Sequence, residues 1–259
     1  MNIRVIVLAV VSLSCSMSLF AQTDRTEALE SADQNGWEYE LKAGVNIGGS
    51  SPLPIPVEIR KITSYNPRFN GTIEGTATKW LGEDRQWGVS VGLKLEEKGM
   101  ITGARVKNYR TEIVDEGSHI AGYWTGDVQT DYHSTLLTIP VMGNYRINDR
   151  WKVRAGVYSS IKLDGNFSGH VSNGYLREGT PVGQKLTFND GQTAFYDFSS
   201  SLRSLHWGAQ AGATWRAFNH FTINDDMTWA ANGIFKKDFK TISFKLYPIY
   251  LNIGFGYRF

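Results

Sequence analysis

The stretch Tyr250–Phe259, YLNIGFGYRF, sorts its residues into two faces. Ile249, Leu251, Ile253, Phe255, Tyr257 and Phe259 share one parity, while Tyr250, Asn252, Gly254, Gly256 and Arg258 hold the other. Side chains alternate across a strand, so this is a strand with one wholly apolar face that runs to the last residue of the sequence. Such a face needs a cover, either a protein core or a lipid bilayer.

The same period of two recurs upstream. WEYELKAGVNI (37–47) sets Trp37, Tyr39, Leu41, Val45 and Ile47 against Glu38, Glu40, Lys42 and Asn46. Weaker or stronger versions follow at Phe69–Trp80, Trp87–Glu97, Thr135–Ile147, Trp151–Ile161, Leu205–Ala217 and Phe221–Ala230, the last broken by Asp225. That makes eight strands. The turns at 82–86, 148–150 and 218–220 are tight and polar, whereas 48–68, 97–130 and 163–203 are long and 232–241 is intermediate. Short turns on one side and long loops on the other are the habit of a transmembrane barrel, and strands of about ten residues suffice to cross a bilayer at a tilt.

The polar parities carry charges of both signs among glycines, which suits the narrow interior of an eight-stranded barrel. Glu74, Lys94, Glu96, Lys152, Arg154, Arg216 and Arg258 are expected to form a polar network in that lumen. Trp37, Tyr39, Trp87, Trp151 and Phe221, at strand ends, are expected at the membrane interface. A soluble exported barrel of the lipocalin type would show the same alternation; the apolar face that persists to Phe259 favours the membrane. The predicted fold is therefore all-β: an eight-stranded antiparallel up-and-down transmembrane β-barrel with long extracellular loops and short periplasmic turns.

Composition agrees, with 27 Gly, 7 Pro and 13% aromatic residues in 259. The start, MNIRVIVLAVVSLSCSMSLFAQ, has Arg4, an apolar run and small residues, the pattern of a secretory signal peptide over 1–21 cut after Ala21. A short periplasmic segment (22–36) and the barrel (37–259) follow. Cys15, the single cysteine, opens a second reading as a lipidated residue, but the apolar sequence continues past it to Phe20. Cleavage at Ala21 leaves a mature chain with no thiol, hence no disulfide and no cysteine nucleophile. Without Arg4 the net charge falls to about +1, which gives no reason to expect nucleic acid as a partner.

Candidate chemistry is sparse. His133-Ser134 and His206 with Ser204 are the pairs that an enzyme acting on lipid would use, but no motif assembles a nucleophile, a base and an orienting group. His119, His170 and His220 lack the spacing of metal ligands. No catalytic residue, cofactor or metal is assigned. SPLPIP (Ser51–Pro56) is extended and either recognises a partner or stiffens its loop. Tyr175, Phe188, Phe195, Tyr196 and Phe198 either anchor a partner or pack into a small loop core. KKDFK (Lys236–Lys240) is a basic loop within reach of acidic lipopolysaccharide headgroups.

The ending NIGFGYRF resembles the terminal signal that the barrel-assembly machinery of bacterial outer membranes reads, with Asn252, Gly254, Tyr257 and Phe259 at the matching positions. LLTIPVMGNYR (Leu136–Arg146), YDFSSSLRSLHWGAQAGATW (Tyr196–Trp215) and SPLPIPVEIRKITSYNP (Ser51–Pro67) resemble the PorT-like outer-membrane β-barrel family of Bacteroidetes. Thr138 stands where that family usually has Glu, and Gly143-Asn144 replace its apolar or basic residues. The resemblance implies an eight-stranded barrel of the bacterial outer membrane; most members of that family lack an established function, and one branch is linked to secretion of proteins to the cell surface. The expected role is a non-enzymatic scaffold or loop-presenting binding or adhesion protein without an open pore. It would be a monomer among outer-membrane lipid and lipopolysaccharide, with a protein partner at its extracellular loops. An accessory role in secretion is the second reading, and a lipid A-modifying enzyme the third.

Overall fold

The computed structural model describes residues 29–115 and 118–259, excepting the side chains of residues 115, 189 and 190. The expected signal peptide with Cys15, and residues 22–28 of the expected periplasmic segment, lie outside the described residues. Residues 29–34 are helical and lead into ten strands. These are β1 (Trp37–Pro52), β2 (Ile59–Asn66), β3 (Gly71–Leu81), β4 (Trp87–Asp115), β5 (Ser118–Arg146), β6 (Trp151–Glu178), β7 (Lys185–Asp197), β8 (Leu205–Arg216), β9 (Phe221–Ala230) and β10 (Leu246–Arg258). Eight of them close a ring in the order β1-β3-β4-β5-β6-β8-β9-β10, and β10 returns antiparallel to β1. The remaining two lie above the ring: β2 on the outer part of β4, and β7 on the outer parts of β6 and β4.

The eight ring strands fall where the alternation places them. The long connections differ from the expectation of loops, because much of 48–68, 97–130 and 163–203 is strand. β4 and β5 are 29 residues each and pair with each other from Trp87 to Asp115; β6 has 28 residues and pairs with β7. The physical reason is a change of solvent. In the wall the apolar parity faces outward: Leu93 is 55% exposed and Phe255 63%, while Lys94 and Glu96 behind them are 1% exposed. Above the wall the apolar residues turn inward, so Met100, Val106, Ile113, Trp124, Val128 and Val171 form a buried core. Register shifts between Val106 and Tyr109, between Thr125 and Asp127, and between Thr135 and Leu136 move the parity again. A strand whose faces exchange character partway carries no single apolar stripe for a reader to follow.

The wall itself is one bilayer tall. β9 has 10 residues, about 34 Å along the strand and roughly 26 Å of membrane at a tilt near 40°. Gly44 pairs with Gly254 across the β1–β10 seam, and a Cβ on Gly254 would lie 2.3 Å from the Ala43 carbonyl oxygen. The two strands meet closely there, with no side chain between them.

One wall residue breaks the lipid-facing stripe. Asp225 is exposed midway along β9, between Ala213 of β8 and Ile253 of β10. It makes no side-chain hydrogen bond or ion pair among the described residues. A carboxylate facing mid-bilayer hydrocarbon destabilises a barrel by about 1–2 kcal/mol. Asp225→Ala is expected to raise stability by that amount in urea titrations in phosphocholine vesicles; a stability loss would mean that Asp225 does not face lipid.

Candidate functional site

Inside the ring the inward parities build a continuous column of ion pairs. At the periplasmic mouth Glu38 gathers Lys152 (2.9 Å), Arg146 (3.5 Å) and Arg258 (3.5 Å), and accepts a hydrogen bond from Trp80 Nε1 at 3.1 Å. The Arg146 guanidinium lies 4.0 Å from the centre of the Trp80 ring. One layer up, Glu40 accepts from Thr222 Oγ1 and from Asn224 Nδ2, and stands 3.6 Å from Lys152. Arg154 grips Asp226 with two parallel bonds of 2.8 and 2.7 Å, the strong fork geometry of guanidinium and carboxylate. Lys42 meets Glu74 at 3.2 Å.

The uppermost layer centres on Glu96, which sits between Lys94 (3.0 Å) and Lys98 (3.1 Å) and accepts from Thr138 Oγ1 at 2.7 Å and Asn46 Nδ2 at 3.1 Å. The rings of Tyr158 and Tyr250 flank the Lys98 ammonium at 5.2 and 5.6 Å. Above Lys98 the same face of β4 continues as Met100, and the apolar core begins. The spaces left in the column are about 30 Å³ at the mouth and about 10 Å³ midway. Each holds on the order of one water.

The structure thus brings Glu74, Lys94, Glu96, Lys152 and Arg154 together in the column. Arg258 joins Glu38 at the mouth and also donates to the Asn219 carbonyl at 3.2 Å. Arg216 lines that mouth without an ion pair among the described residues. The sequence reading passed over Lys98 and Asp226 as network members. Asp226 shares the polar parity of Thr222, Asn224 and Thr228, and Lys98 continues the parity of Lys94 and Glu96, so both were within reach of the alternation.

The aromatic residues lie at the periplasmic end of the wall. Trp37, Tyr39, Trp87, Trp151 and Phe221 are exposed there. Trp37 stacks on Tyr39, Trp87 meets Tyr145 at 4.6 Å, and Trp151 meets Trp215 at 6.4 Å. Phe221 meets Tyr257 edge-on at 5.7 Å, and Tyr257 meets Phe259 at 5.2 Å. The Phe259 N–H donates to the Tyr39 carbonyl at 3.0 Å, which completes the seam. Asn252 has turned inward and donates to Asn46 and Thr72.

Outside the membrane the loop aromatics divide. Phe188, Tyr196 and Phe198 are buried, whereas Phe195 is 61% exposed. Phe167 lies at the centre of that core, 4.8 Å from Phe235, and Phe235 stacks on Phe239 at 4.3 Å. Phe239 pins the basic segment 236–240 to the core. Beside it runs a groove of about 860 Å³ that exposes Lys237, Lys240 and Lys245. Tyr196 Oη bonds with Thr130 Oγ1 at 2.7 Å, and burial pushes its phenol and that of Tyr109 well above the usual range.

His133 and His206 stand on β5 and β8, which β6 separates. Ser134 points inward, opposite to His133, and donates to the Asp164 carbonyl at 3.1 Å. The structure therefore brings neither histidine together with the other. Among the described residues no three His, Cys, Asp or Glu side chains group as metal ligands.

Every deep carboxylate of the column faces a cation, so removing one strands a buried charge at a cost of about 3–5 kcal/mol. Glu96→Ala is expected to lower the urea midpoint of the purified barrel accordingly, because Lys94 and Lys98 lose their shared partner. Adding Lys94→Met and Lys98→Met is expected to restore much of the loss. An unchanged midpoint for Glu96→Ala would show that the column does not hold the ring.

No curated protein matches the chain at a significant level. Among solved structures, the chain is similar to Ail, the attachment invasion locus protein of Yersinia pestis, crystallised with the heparin analogue sucrose octasulfate. Identity is 12% over 86% of this chain and 97% of that one, with a TM-score of 0.35. It is likewise similar to neisserial surface protein A (10% identity, 86% and 96% covered, TM-score 0.33) and to OprG of Pseudomonas aeruginosa (10%, 87% and 97%, 0.33). Residues 20–236 match the model of the outer membrane protein beta-barrel domain; with a closed ring of eight strands, a lipid-facing wall and an ion-paired lumen, the chain belongs to that family and to the bacterial outer membrane.

Proposed function

We propose that the barrel is a non-enzymatic anchor for a rigid extracellular binding platform. The observation that carries this is the β4–β5 pair, which extends from Trp87 and Tyr145 at the periplasmic rim to Asp115 and Ser118, with a register shift between Val106 and Tyr109. Its 29-residue strands measure about 95 Å each, against roughly ten residues needed to cross a membrane. Most of each strand therefore stands outside, stiffened by Ile113, Trp124, Val171 and Leu176, all fully buried. A packed platform presents a surface with little ordering entropy to lose on binding. Lys237, Lys240 and Lys245 face the membrane-side groove, where lipopolysaccharide phosphates would meet them. We further read the chain as a PorT-like member on the three stretches quoted above, with residues 22–36 as a periplasmic lead-in.

A photo-crosslinking residue placed at Tyr123, near the hairpin tip, is expected to capture a surface partner on intact cells, whereas one at Asp149, in a periplasmic turn, is not. Capture at Asp149 alone would overturn the platform reading in favour of an accessory role in secretion.

We also assign Tyr257 and Phe259 to recognition by the barrel-assembly machinery, since both rings lie on the outer surface at the seam between the first and last ring strands. Replacing the two together with Ala is expected to reduce the heat-modifiable form in outer-membrane fractions several-fold. Arg258→Gln, on the inward face, should do far less. Equal damage from both variants would refute the assignment.

A further inference from the structure

Native interiors contain few voids larger than a water molecule. Just above the wall, between the end of β1, β2 and β4, lies a cavity of about 450 Å³. Its lining is almost wholly apolar and includes Ile62 and Tyr65 of β2, Met100 and Val106 of β4, Val128 of β5 and Phe244. On the order of fifteen waters would fill that volume, but an apolar cavity holds water poorly and takes up apolar ligands. Its size falls within the range of small-molecule sites.

Three further observations point to what fills it. First, the cavity borders the hydrocarbon. Ile249, on its floor, lies on the lipid-facing parity of β10 and pairs with Trp229, which is 53% exposed at the outer end of the wall. Second, the neighbouring chain is unusually greasy for an extracellular connection. Leu53, Ile55 and Val57 of the Pro-rich segment are 44%, 60% and 77% exposed, and Ile62 is 55% exposed. An apolar patch of this kind marks contact with membrane or ligand. Tyr65 Oη donates to the Gly48 carbonyl at 2.7 Å and holds β2 against β1 at the entrance. Third, two polar atoms of lining residues are without a partner: Thr102 Oγ1 and Ser50 Oγ are buried and make no hydrogen bond among the described residues. A buried hydroxyl without a partner is costly, and a ligand oxygen would satisfy it.

We infer that this cavity binds a single long hydrocarbon chain that ends in a carboxyl or ester oxygen, with the chain against Met100, Val106 and Phe244 and the oxygen at Thr102 Oγ1. The same chemistry is offered by a free fatty acid and by an acyl chain of an outer-leaflet lipid that enters sideways past Ile62 and Tyr65.

The test uses the full chain in nanodiscs of one phospholipid and cis-parinaric acid, a long-chain fatty acid whose fluorescence rises in apolar surroundings. Saturable binding of one probe per chain, above that of empty nanodiscs, is expected. Ala104→Phe, which fills the lining, is expected to weaken binding by about tenfold or more, and Thr102→Val by about fivefold, the worth of one hydrogen bond. Ile62→Glu, at the exposed mouth, does not depend on repacking of the interior and is expected to weaken binding as well. Oleate that displaces the probe would identify a free fatty acid as the ligand. Resistance to oleate, with lipid A released on denaturing the native protein, would identify an outer-leaflet acyl chain. Probe uptake equal to that of empty nanodiscs, or unchanged in both Ala104→Phe and Ile62→Glu, would overturn the site.

Discussion

In hydrocarbon a backbone N–H or C=O finds no water to bond, so a wall of strands must close on itself. In this chain closure depends on the pairing of β10 with β1, which matches thirteen residues from Leu246 to Arg258 with Pro52 to Glu40. The seam admits no inward side chain at Gly44 and Gly254, and the space in front of it goes to Lys42, Asn46 and Asn252. The rest of the lumen is arranged around that limit. A ring of eight strands is too narrow for water to solvate charges, and too polar on its inner face to be packed with aliphatics. Five carboxylates and seven cations satisfy one another instead: Glu38, Glu40, Glu74, Glu96 and Asp226 with Lys42, Lys94, Lys98, Arg146, Lys152, Arg154 and Arg258.

The column ends where the membrane does. On one face of β4, Lys94, Glu96 and Lys98 give way to Met100. Below that step lipid covers the outer face, so the inner face carries the polar groups. Above it water covers the outer face, so the inner face carries the apolar ones. A single strand thus obeys two opposite rules within a few residues, and the rigid platform follows from the second. Its hairpins are long enough to bury Trp124 and Phe167 in a core of their own, which flexible loops would not do.

This step also explains how much of the structure was legible. The eight ring strands and their turns were, because Trp87 through Leu95 or Phe221 through Trp229 keep one parity in one solvent. The platform was not, because Met100 and Val106 are apolar on the parity that had just carried Lys94 and Glu96. Bulges near Val106 and Thr125 shift the count again. In the lumen, the charged types were readable but their partners were not. That Arg154 meets Asp226, and that Glu96 lies between two lysines of its own strand, depends on tilt and register around the ring. The cavity was out of reach altogether, since the Pro-rich segment gives no sign that β2 folds back over β4.

Thr138 shows how closely the same column is balanced. Thr138 Oγ1 donates to Glu96 Oε1 at 2.7 Å and shares a hydrogen bond with Ser160 at the same distance. A glutamate at 138 would bring a second carboxylate against Glu96 in a buried layer where Lys94 and Lys98 are already engaged. Like charges so placed repel strongly at low dielectric. With Glu96 contributed by β4, the position on β5 must supply a donor rather than an acid, and a threonine hydroxyl fits both its neighbours. In this layer one carboxylate is shared by two ammonium groups and two neutral donors, Thr138 and Asn46.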